Sequence, residues 1–254
     1  MAAFQDWEDM MVDLILEDKI KTQILKHASR QLPRECCGLL AVYNGRQRYY
    51  PCNNLATNND TFIMDVVDFA AVEDEATVLA IVHSHTVGNC QPSMADLQSC
   101  EKSGLPWIIV NPNTEQFYQF EPSGYVAPIV GRPYVYKLFD CYTLIRDWYK
   151  QNFGLELKIE YEAPPFDVWV NNPIFDIKLP QLIANHGFRE VSVTDAIRGD
   201  LLLFSCVRQS TDHLGIYLGE QRFVHHSVNR LSSVDLYGGY WLKQTNKVMR
   251  YAYN

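Results

Sequence analysis

Two histidines, His83 and His85, directly follow the apolar run Val78–Val82. A run of this length suits a buried strand, and residues two apart on an extended segment point to the same side. The two imidazoles can therefore present their nitrogens to one ion. A catalytic zinc commonly takes three protein ligands and keeps a fourth position for water. Asp96 can supply the third ligand from the first turn of the next helix.

Each part of this set also has a plain structural interpretation. A His-x-His pair alone is weak evidence for a metal, and Ser93-x-x-Asp96 alone is more often a helix N-cap with an acid in the first turn. Glu35 alone would be a solvated acid. The joint arrangement favours a metal site, with a distant carboxylate as general base toward a water whose pKa the ion lowers to roughly 7.

The set resembles the signature of the JAMM (MPN+) metallopeptidases, carried here by Glu35-Cys36-Cys37-Gly38-Leu39-Leu40, His83-Ser84-His85 and Ser93-Met94-Ala95-Asp96. The resemblance spans roughly residues 15–120. It implies that Zn²⁺ is held by His83, His85 and Asp96. It also implies Glu35 as the general base and Ser93 as a hydrogen-bond partner of the water or the developing oxyanion.

Two residues of the intervening loop bear on this resemblance. Thr86 stands where the family usually has proline, which would stiffen the loop, so the rigidity of the loop is open. Cys90 lies between the ligands and can compete for the metal. We interpret Cys90 as a spectator thiol.

Cys141 has the position of a nucleophile, since it starts a predicted helix and a helix N-terminus stabilises a thiolate. A lone cysteine is more commonly a small buried hydrophobe, so this interpretation depends on partners. The partners are histidines on a predicted hairpin. A turn centred on Gly219 pairs His213 with His225, whereas a centre between Gly219 and the next residue pairs it with His226. Spacing alone leaves both pairings open.

The second half resembles the NlpC/P60 cysteine peptidases in the segments Phe139-Asp140-Cys141-Tyr142, Asp212-His213-Leu214-Gly215-Ile216-Tyr217-Leu218-Gly219 and Phe223-Val224-His225. The resemblance covers about residues 130–254 and implies a papain-like core. It implies Cys141 as nucleophile, His213 as general base and His225 as the residue that orients His213. Tyr134 is implied to hydrogen-bond near the thiolate, although the stretch from Tyr134 to Cys141 is shorter than usual. Tyr142-Thr143 replaces the family's small Ser-Gly pair, which narrows the site.

Helices and strands alternate in the first half, which predicts an α/β JAMM/MPN-like domain. The predicted elements are a helix from Asp18 as its cap to about Gln31, a strand Cys37–Tyr43 with a hairpin turn at Asn44-Gly45, a helix Val66–Ala76, a strand Val78–Val82, a helix opened by Pro92-Ser93 and closed by Gly104, and strands Trp107–Val110 and Phe117–Phe120.

A helix followed by consecutive strands in the second half predicts an α+β papain-like NlpC/P60 domain. The predicted elements are helices Cys141–Asn152 and about Leu179–His186, and strands Asp200–Ser205, His213–Leu218 and Arg222–Ser227. The segment Glu121–Pro133 holds three prolines and two glycines. It predicts a boundary between domains at residues 1–124 and 125–254. Residues 1–16 are predicted to be an acidic arm or a loose strand.

The 254 residues are 47% hydrophobic and 20% charged, which is a globular balance, and the formal net charge is −8. This charge argues against a nucleic-acid partner and against docking on anionic lipid. The first eighteen residues contain six acids and no base, so we predict no signal peptide. No apolar run approaches a membrane span, and seven irregularly spaced cysteines favour free thiols made in a reducing cytoplasm.

The order of the two domains resembles the tail-tip assembly proteins of lambda-like siphophages. This resemblance implies a hydrolase with other tail-tip proteins as partners and peptidoglycan stem peptides as a substrate. It places the chain in the host cytoplasm during tail assembly and at the virion tail tip. Two alternatives remain open: a structural assembly factor with one or both sites inactive, and a processing protease that acts on another tail protein.

Overall fold

The fold of this chain comes from a computed structural model that describes residues 14–157, 183–206 and 211–252. It divides into two compact units, residues 1–125 and 126–254, one residue from the predicted boundary. Most of the predicted arm at residues 1–16 and half of the predicted helix Leu179–His186 lie outside the described residues. Within the described ranges, no helix is long and apolar enough to cross a bilayer.

The first unit alternates helices with strands as the sequence predicts. Its described elements are α1 (Asp18–Gln31), β1 (Cys37–Tyr43), β2 (Arg46–Cys52), α2 (Val66–Glu75), β3 (Thr77–Ser84), α3 (Met94–Ser103), β4 (Trp107–Asn111) and β5 (Gln116–Phe120). The predicted cap of α1 is wrong by one position. Glu17 is the N-cap, and Asp18 lies in the first turn, where its negative charge favours the positive end of the helix.

The strands of the first unit form a sheet in the order β2-β1-β3-β4-β5, in which β3 and β4 run parallel. Asn44 and Gly45 both have positive φ, 50° and 72°, as a two-residue hairpin turn requires. Helices cover both faces of the sheet. Ile20, Ile24 and Ala28 of α1 pack on one face, and α2 and α3 contribute Val72 and Cys100 to the other. The predicted α/β layering is confirmed.

The second unit places one long helix against an antiparallel sheet, which is the predicted α+β arrangement. Its described elements are α4 (Cys141–Phe153), β6 (Phe188–Val191), a 3₁₀ turn (Val193–Asp195), β7 (Leu201–Phe204), β8 (His213–Gly219), β9 (Arg222–His225), β10 (Ser233–Leu236), α5 (Gly239–Gln244) and β11 (Thr245–Tyr251). The strands are ordered β10-β9-β8-β7-β11-β6. Leu144, Ile145 and Trp148 of α4 pack on this sheet.

The prediction of the second unit missed strands β6, β10 and β11. The register of the β8–β9 hairpin also differs from both pairings considered, because His225 is paired with Gly215. The turn residues Glu220 and Gln221 have positive φ, 53° and 55°, and an irregularity between Tyr217 and Gly219 shifts the ladder. His213 and His225 are therefore diagonal neighbours on one face rather than direct cross-strand partners.

Candidate functional site

The end of β3 is fixed against β1, which brings the predicted base and the predicted ligands into one neighbourhood. His83 is paired with Cys37 across the two strands. The backbone amide of Cys36 donates to Ser84 Oγ at 2.8 Å, and the amide of Ser84 donates to the carbonyl of Cys36 at 3.1 Å. The buried Ser84 hydroxyl thus joins the His-Ser-His segment to the residue that follows Glu35.

The three predicted metal ligands converge. His83 Nε2 lies 3.3 Å from His85 Nε2 and 3.2 Å from Asp96 Oδ1, and His85 Nε2 lies 3.3 Å from Asp96 Oδ2. Among the described residues, these three side chains form the group whose ligand atoms lie close enough to hold one metal ion, and Cys90 is not part of it. The Cys90 thiol instead donates to the carbonyl of Gln116 at 3.2 Å.

This geometry fits zinc. Two nitrogens at 2.0–2.1 Å from a tetrahedral zinc lie about 3.3 Å apart, which is the separation of the two imidazoles here. His85 Nδ1–H donates to the carbonyl of Asn89 at 3.0 Å, which directs the lone pair on Nε2 toward the cluster. Phe62 stacks on the buried ring of His83 at 4.8 Å and Trp107 meets it edge-on at 5.3 Å.

The charges of the cluster also suit a cation. Burial alone would raise the pKa of Asp96, but the neighbouring imidazoles of His83 and His85 outweigh it and hold that pKa well below its usual range. Burial lowers the pKa of His83 despite the opposing effect of Asp96, whereas for His85 the contact with Asp96 outweighs burial and raises the pKa. A carboxylate and a neutral imidazole are the protonation states in which these side chains bind a metal.

Glu35 is buried beside this cluster, with 7% of its surface exposed. Burial raises the pKa of Glu35 to about 8; His85 opposes the shift, and Asp96 and Asp60 add to it. Asn54 holds the backbone here by donating to the carbonyl of Glu35 at 2.9 Å. A carboxyl group with a pKa near neutrality can both accept and return a proton.

The loop that follows the histidines lacks the family's proline but is held by hydrogen bonds. Asn113 donates to the carbonyl of Thr86 at 2.9 Å, and Asn111 donates to the carbonyl of Gly88 at 3.0 Å. Ser93 then begins α3 as its N-cap. Its Oγ accepts from the amide of Asp96, so the structure places Ser93 directly beside a predicted metal ligand.

Cys141 is the first residue of α4 in the second unit. Its neighbour Asp140 is the N-cap and forms a capping box with Thr143, with bonds of 2.8 and 2.9 Å. Burial raises the pKa of the Cys141 thiol to about 12, and Asp140 adds to this shift. Backbone amides of Leu214 and of the start of α4 oppose it. Burial therefore opposes the stabilisation of a thiolate that the helix N-terminus provides.

The two histidines of the hairpin form a hydrogen-bonded chain that continues to an acid. His213 Nε2 lies 2.8 Å from His225 Nδ1, and His225 Nε2 lies 3.1 Å from Asp235 Oδ2. Gly215 lies opposite His225, and a Cβ there would meet Phe223 at 2.8 Å. Burial lowers the pKa of His213 to about 3, so its ring is neutral at ordinary pH.

Tyr134 reaches the same region but contacts His226, the second partner of His213 that spacing alone leaves open. Its ring meets His226 edge-on at 5.3 Å, and burial with a contribution from Cys141 raises the pKa of Tyr134. His226 is 1% exposed, and its Nε2 lies 3.1 Å from the carbonyl of Arg230. It is therefore a buried packing residue rather than an exposed one.

Two residues of this site were missed. Asp235 lies on the overlooked strand β10, and Trp241 of α5 covers both histidine rings, at 4.7 Å from His225 and 5.7 Å from His213. The alternation Ser233-Val234-Asp235-Leu236 was the available signal for β10, but four residues are too few for a strand to stand out.

Comparison with known proteins assigns each half to a peptidase family. The model of prokaryotic homologs of the JAB domain matches residues 17–121, and the model of the NlpC/P60 family matches residues 131–250. The chain is thus a two-domain protein with a JAB/MPN-like domain followed by an NlpC/P60 domain.

Two phage proteins are similar to this chain over most of its length. It is 35% identical to tail tip assembly protein K of Escherichia phage N15 over 240 residues, which cover 93% of this chain and 96% of that protein. It is 30% identical to tail tip assembly protein K of Escherichia phage lambda over 188 residues, 74% of this chain and 89% of the other. The chain belongs to the phage tail tip assembly protein K family.

A shorter match concerns a bacterial protein. The chain is 32% identical to the probable endopeptidase YafL of Escherichia coli strain K12 over 102 residues, which cover 37% of this chain and 34% of that protein.

Proposed function

We propose that this chain is a tail tip assembly protein with two working amide-hydrolysing sites, a zinc site in its first unit and a cysteine site in its second. The observation that carries the proposal is that the first unit brings three metal-ligating side chains together, and that the second packs the helix start of Cys141 against the strand of His213. One set is His83, His85 and Asp96 within 4.8 Å. The other is Cys141 at a helix start beside the strand of His213, which is bonded to His225.

In the first site, His83, His85 and Asp96 would hold the zinc, which when bound lowers the pKa of a water and polarises the scissile carbonyl. Glu35 accepts the proton that the attacking water loses and returns it to the departing amine. Its raised pKa, about 8, suits both steps near neutral pH. Ser93 positions Asp96 and has a hydroxyl hydrogen to donate to the developing oxyanion. The substrate class is a peptide or isopeptide bond.

In the second site, the Cys141 thiol gives its proton to His213 as its sulfur bonds to the scissile carbonyl carbon. His213 then protonates the leaving amine as the carbon–nitrogen bond breaks. Water hydrolyses the resulting thioester and restores the thiol. The substrate we propose is a peptidoglycan stem peptide, the partners are other tail-tip proteins, and the places of action are the host cytoplasm during assembly and the virion tail.

A purely structural role is the second candidate, because burial raises the pKa of Cys141 and so disfavours the nucleophilic thiolate. In that case the two domains would serve tail assembly through binding alone. A processing protease that acts on another tail protein would differ from the lead proposal only in substrate.

The decisive experiment is a mass-spectrometric digest of isolated peptidoglycan with the full chain, Cys141→Ala and Glu35→Gln. We expect fragment release that Cys141→Ala abolishes, with Cys206→Ala as the matched control because it removes another partly buried thiol of the same unit. Elemental analysis should find about one zinc per chain, lost in His83→Ala. Fully infectious tails from both active-site variants, with no fragment release by wild type, would favour the structural role.

A further inference from the structure

We propose that Asp235 is a positioning residue of the cysteine site, which sets the tautomers of His225 and His213 so that the free nitrogen of His213 can take the thiol proton. This inference rests on the proposed cysteine peptidase activity. It adds a fourth residue to the set Cys141, His213 and His225. This residue lies on a strand outside the sequence segments that carry the NlpC/P60 resemblance.

The register of the edge strand β10 brings Asp235 to His225. Ser233 is paired with His225, and Asp235 follows two residues later on the same side of the strand. The carboxylate is therefore a diagonal neighbour of the imidazole, with Oδ2 at 3.1 Å from His225 Nε2. The second oxygen, Oδ1, accepts a long bond from the Ser233 hydroxyl, at 3.4 Å.

The positions of the hydrogens along this series of hydrogen bonds follow from which groups can donate and which can only accept. An ionised carboxylate only accepts, so His225 Nε2 carries the hydrogen that lies between it and Asp235. In a neutral imidazole the other nitrogen is then an acceptor, which makes His225 Nδ1 the acceptor of a hydrogen on His213 Nε2, 2.8 Å away. The remaining nitrogen of His213, Nδ1, consequently has a lone pair and no hydrogen. It is the atom that can act as the base.

Among the described contacts of the two histidines, the one with Asp235 fixes the tautomer of His225. The Ser227 hydroxyl lies 3.3 Å from His225 Nδ1 and can donate there, which is compatible with the same tautomer. The charged groups that act on His225 are Asp235 and Arg230, and His213 is influenced by His225 and His226. Trp241 and Phe223 enclose the ring of His225 at 4.7 and 4.6 Å. Without the carboxylate, these contacts leave both tautomers of His225 available.

A role in the core of the fold does not explain this contact. The Asp235 side chain is 37% exposed on an edge strand, and its other bond is the long one from Ser233. Replacement should therefore cost the fold little, which separates positioning from folding.

The test is ¹⁵N-histidine NMR of the full chain, which distinguishes Nδ1–H from Nε2–H tautomers, combined with kinetics on peptidoglycan fragments. In wild type we expect both His213 and His225 as Nε2–H. Asp235→Ala should give a mixture of tautomers and lower kcat about tenfold with KM unchanged, because one charge-assisted hydrogen bond is lost. Asp235→Glu should restore most of the Nε2–H tautomer population and most of kcat. Leu236→Ala, on the same strand and 74% exposed, is the matched control and should change neither.

The outcomes separate the inference from the proposed function. An Nδ1–H tautomer of His213 in wild type would overturn the inference without any variant, and so would unchanged tautomers in Asp235→Ala. Absence of fragment release by wild type would overturn the proposed peptidase activity, whatever the NMR result.

Discussion

Ser93 and Asp96 hold each other through two reciprocal hydrogen bonds at the start of α3. The amide of Ser93 donates to Asp96 Oδ2 at 2.7 Å, and the amide of Asp96 donates to Ser93 Oγ at 3.2 Å. The same Oδ2 lies 3.3 Å from His85 Nε2. The helix cap and the proposed metal site therefore share one carboxylate. The N-cap interpretation of Ser93-x-x-Asp96 is thus compatible with the metal-ligand interpretation.

Removing the Ser93 hydroxyl should weaken zinc binding. In Ser93→Ala the backbone amide of Asp96 loses its acceptor, which loosens the helix start that positions the carboxylate, and we expect about tenfold lower zinc affinity, as for other residues that orient a ligand. Competition with a zinc-binding dye measures this. Ser123→Ala removes an exposed hydroxyl of the same unit and should leave the affinity unchanged. Full affinity in Ser93→Ala with lost hydrolysis would instead assign Ser93 to the reaction itself.

Glu35→Gln should keep zinc while losing hydrolysis at the first site. The side chain supplies a proton acceptor and not a ligand, so metal content should stay near one per chain while the rate falls by about 10²–10⁴. Elemental analysis and hydrolysis of isopeptide-linked peptides are the measurements. Glu73→Gln, an exposed acid on α2, is the control. Loss of zinc from Glu35→Gln would make Glu35 a ligand and contradict its role as a base.

Alkylation of Cys141 by iodoacetamide should accelerate steadily with pH. The pKa of its thiol is raised to about 12, so the thiolate fraction should increase about tenfold per pH unit between pH 7 and 10, without a plateau. No inflection is expected near pH 6.5, since burial lowers the pKa of His213 to about 3. Peptide mapping by mass spectrometry isolates this cysteine from the others. A plateau below pH 8 would indicate a resting thiolate–imidazolium pair.

Gly215→Ala should damage the cysteine site through packing. A Cβ there would lie 2.8 Å from Phe223 and 3.1 Å from the carbonyl of Val224, and the ring of Phe223 stacks on His225. We expect the free energy of unfolding to fall by about 1–3 kcal/mol, which urea denaturation measures. Gly238→Ala, where a Cβ meets nothing within 4 Å, should be tolerated. Equal stability of the two variants would show that the hairpin yields to accommodate the methyl group.

The sequence predicted what local pattern and motif spacing determine. The hairpin at Asn44-Gly45 follows from residues that accept positive φ, and α3 ends where predicted, before Gly104. The pairing of His225 with Gly215 was not predictable, because a ladder irregularity near Tyr217 moves the register away from simple symmetry. Asp235 was missed for a related reason, since its meeting with His225 depends on strand order across the sheet.

Every side chain assigned here to a reaction belongs to a set drawn from one unit of the chain: Glu35 to Asp96 from the first, Tyr134 to Asp235 from the second. A lineage can therefore lose the chemistry of one half by a single substitution and keep that of the other. Loss of either proposed activity should then appear among tail proteins of this kind as substitutions confined to the residues of one site.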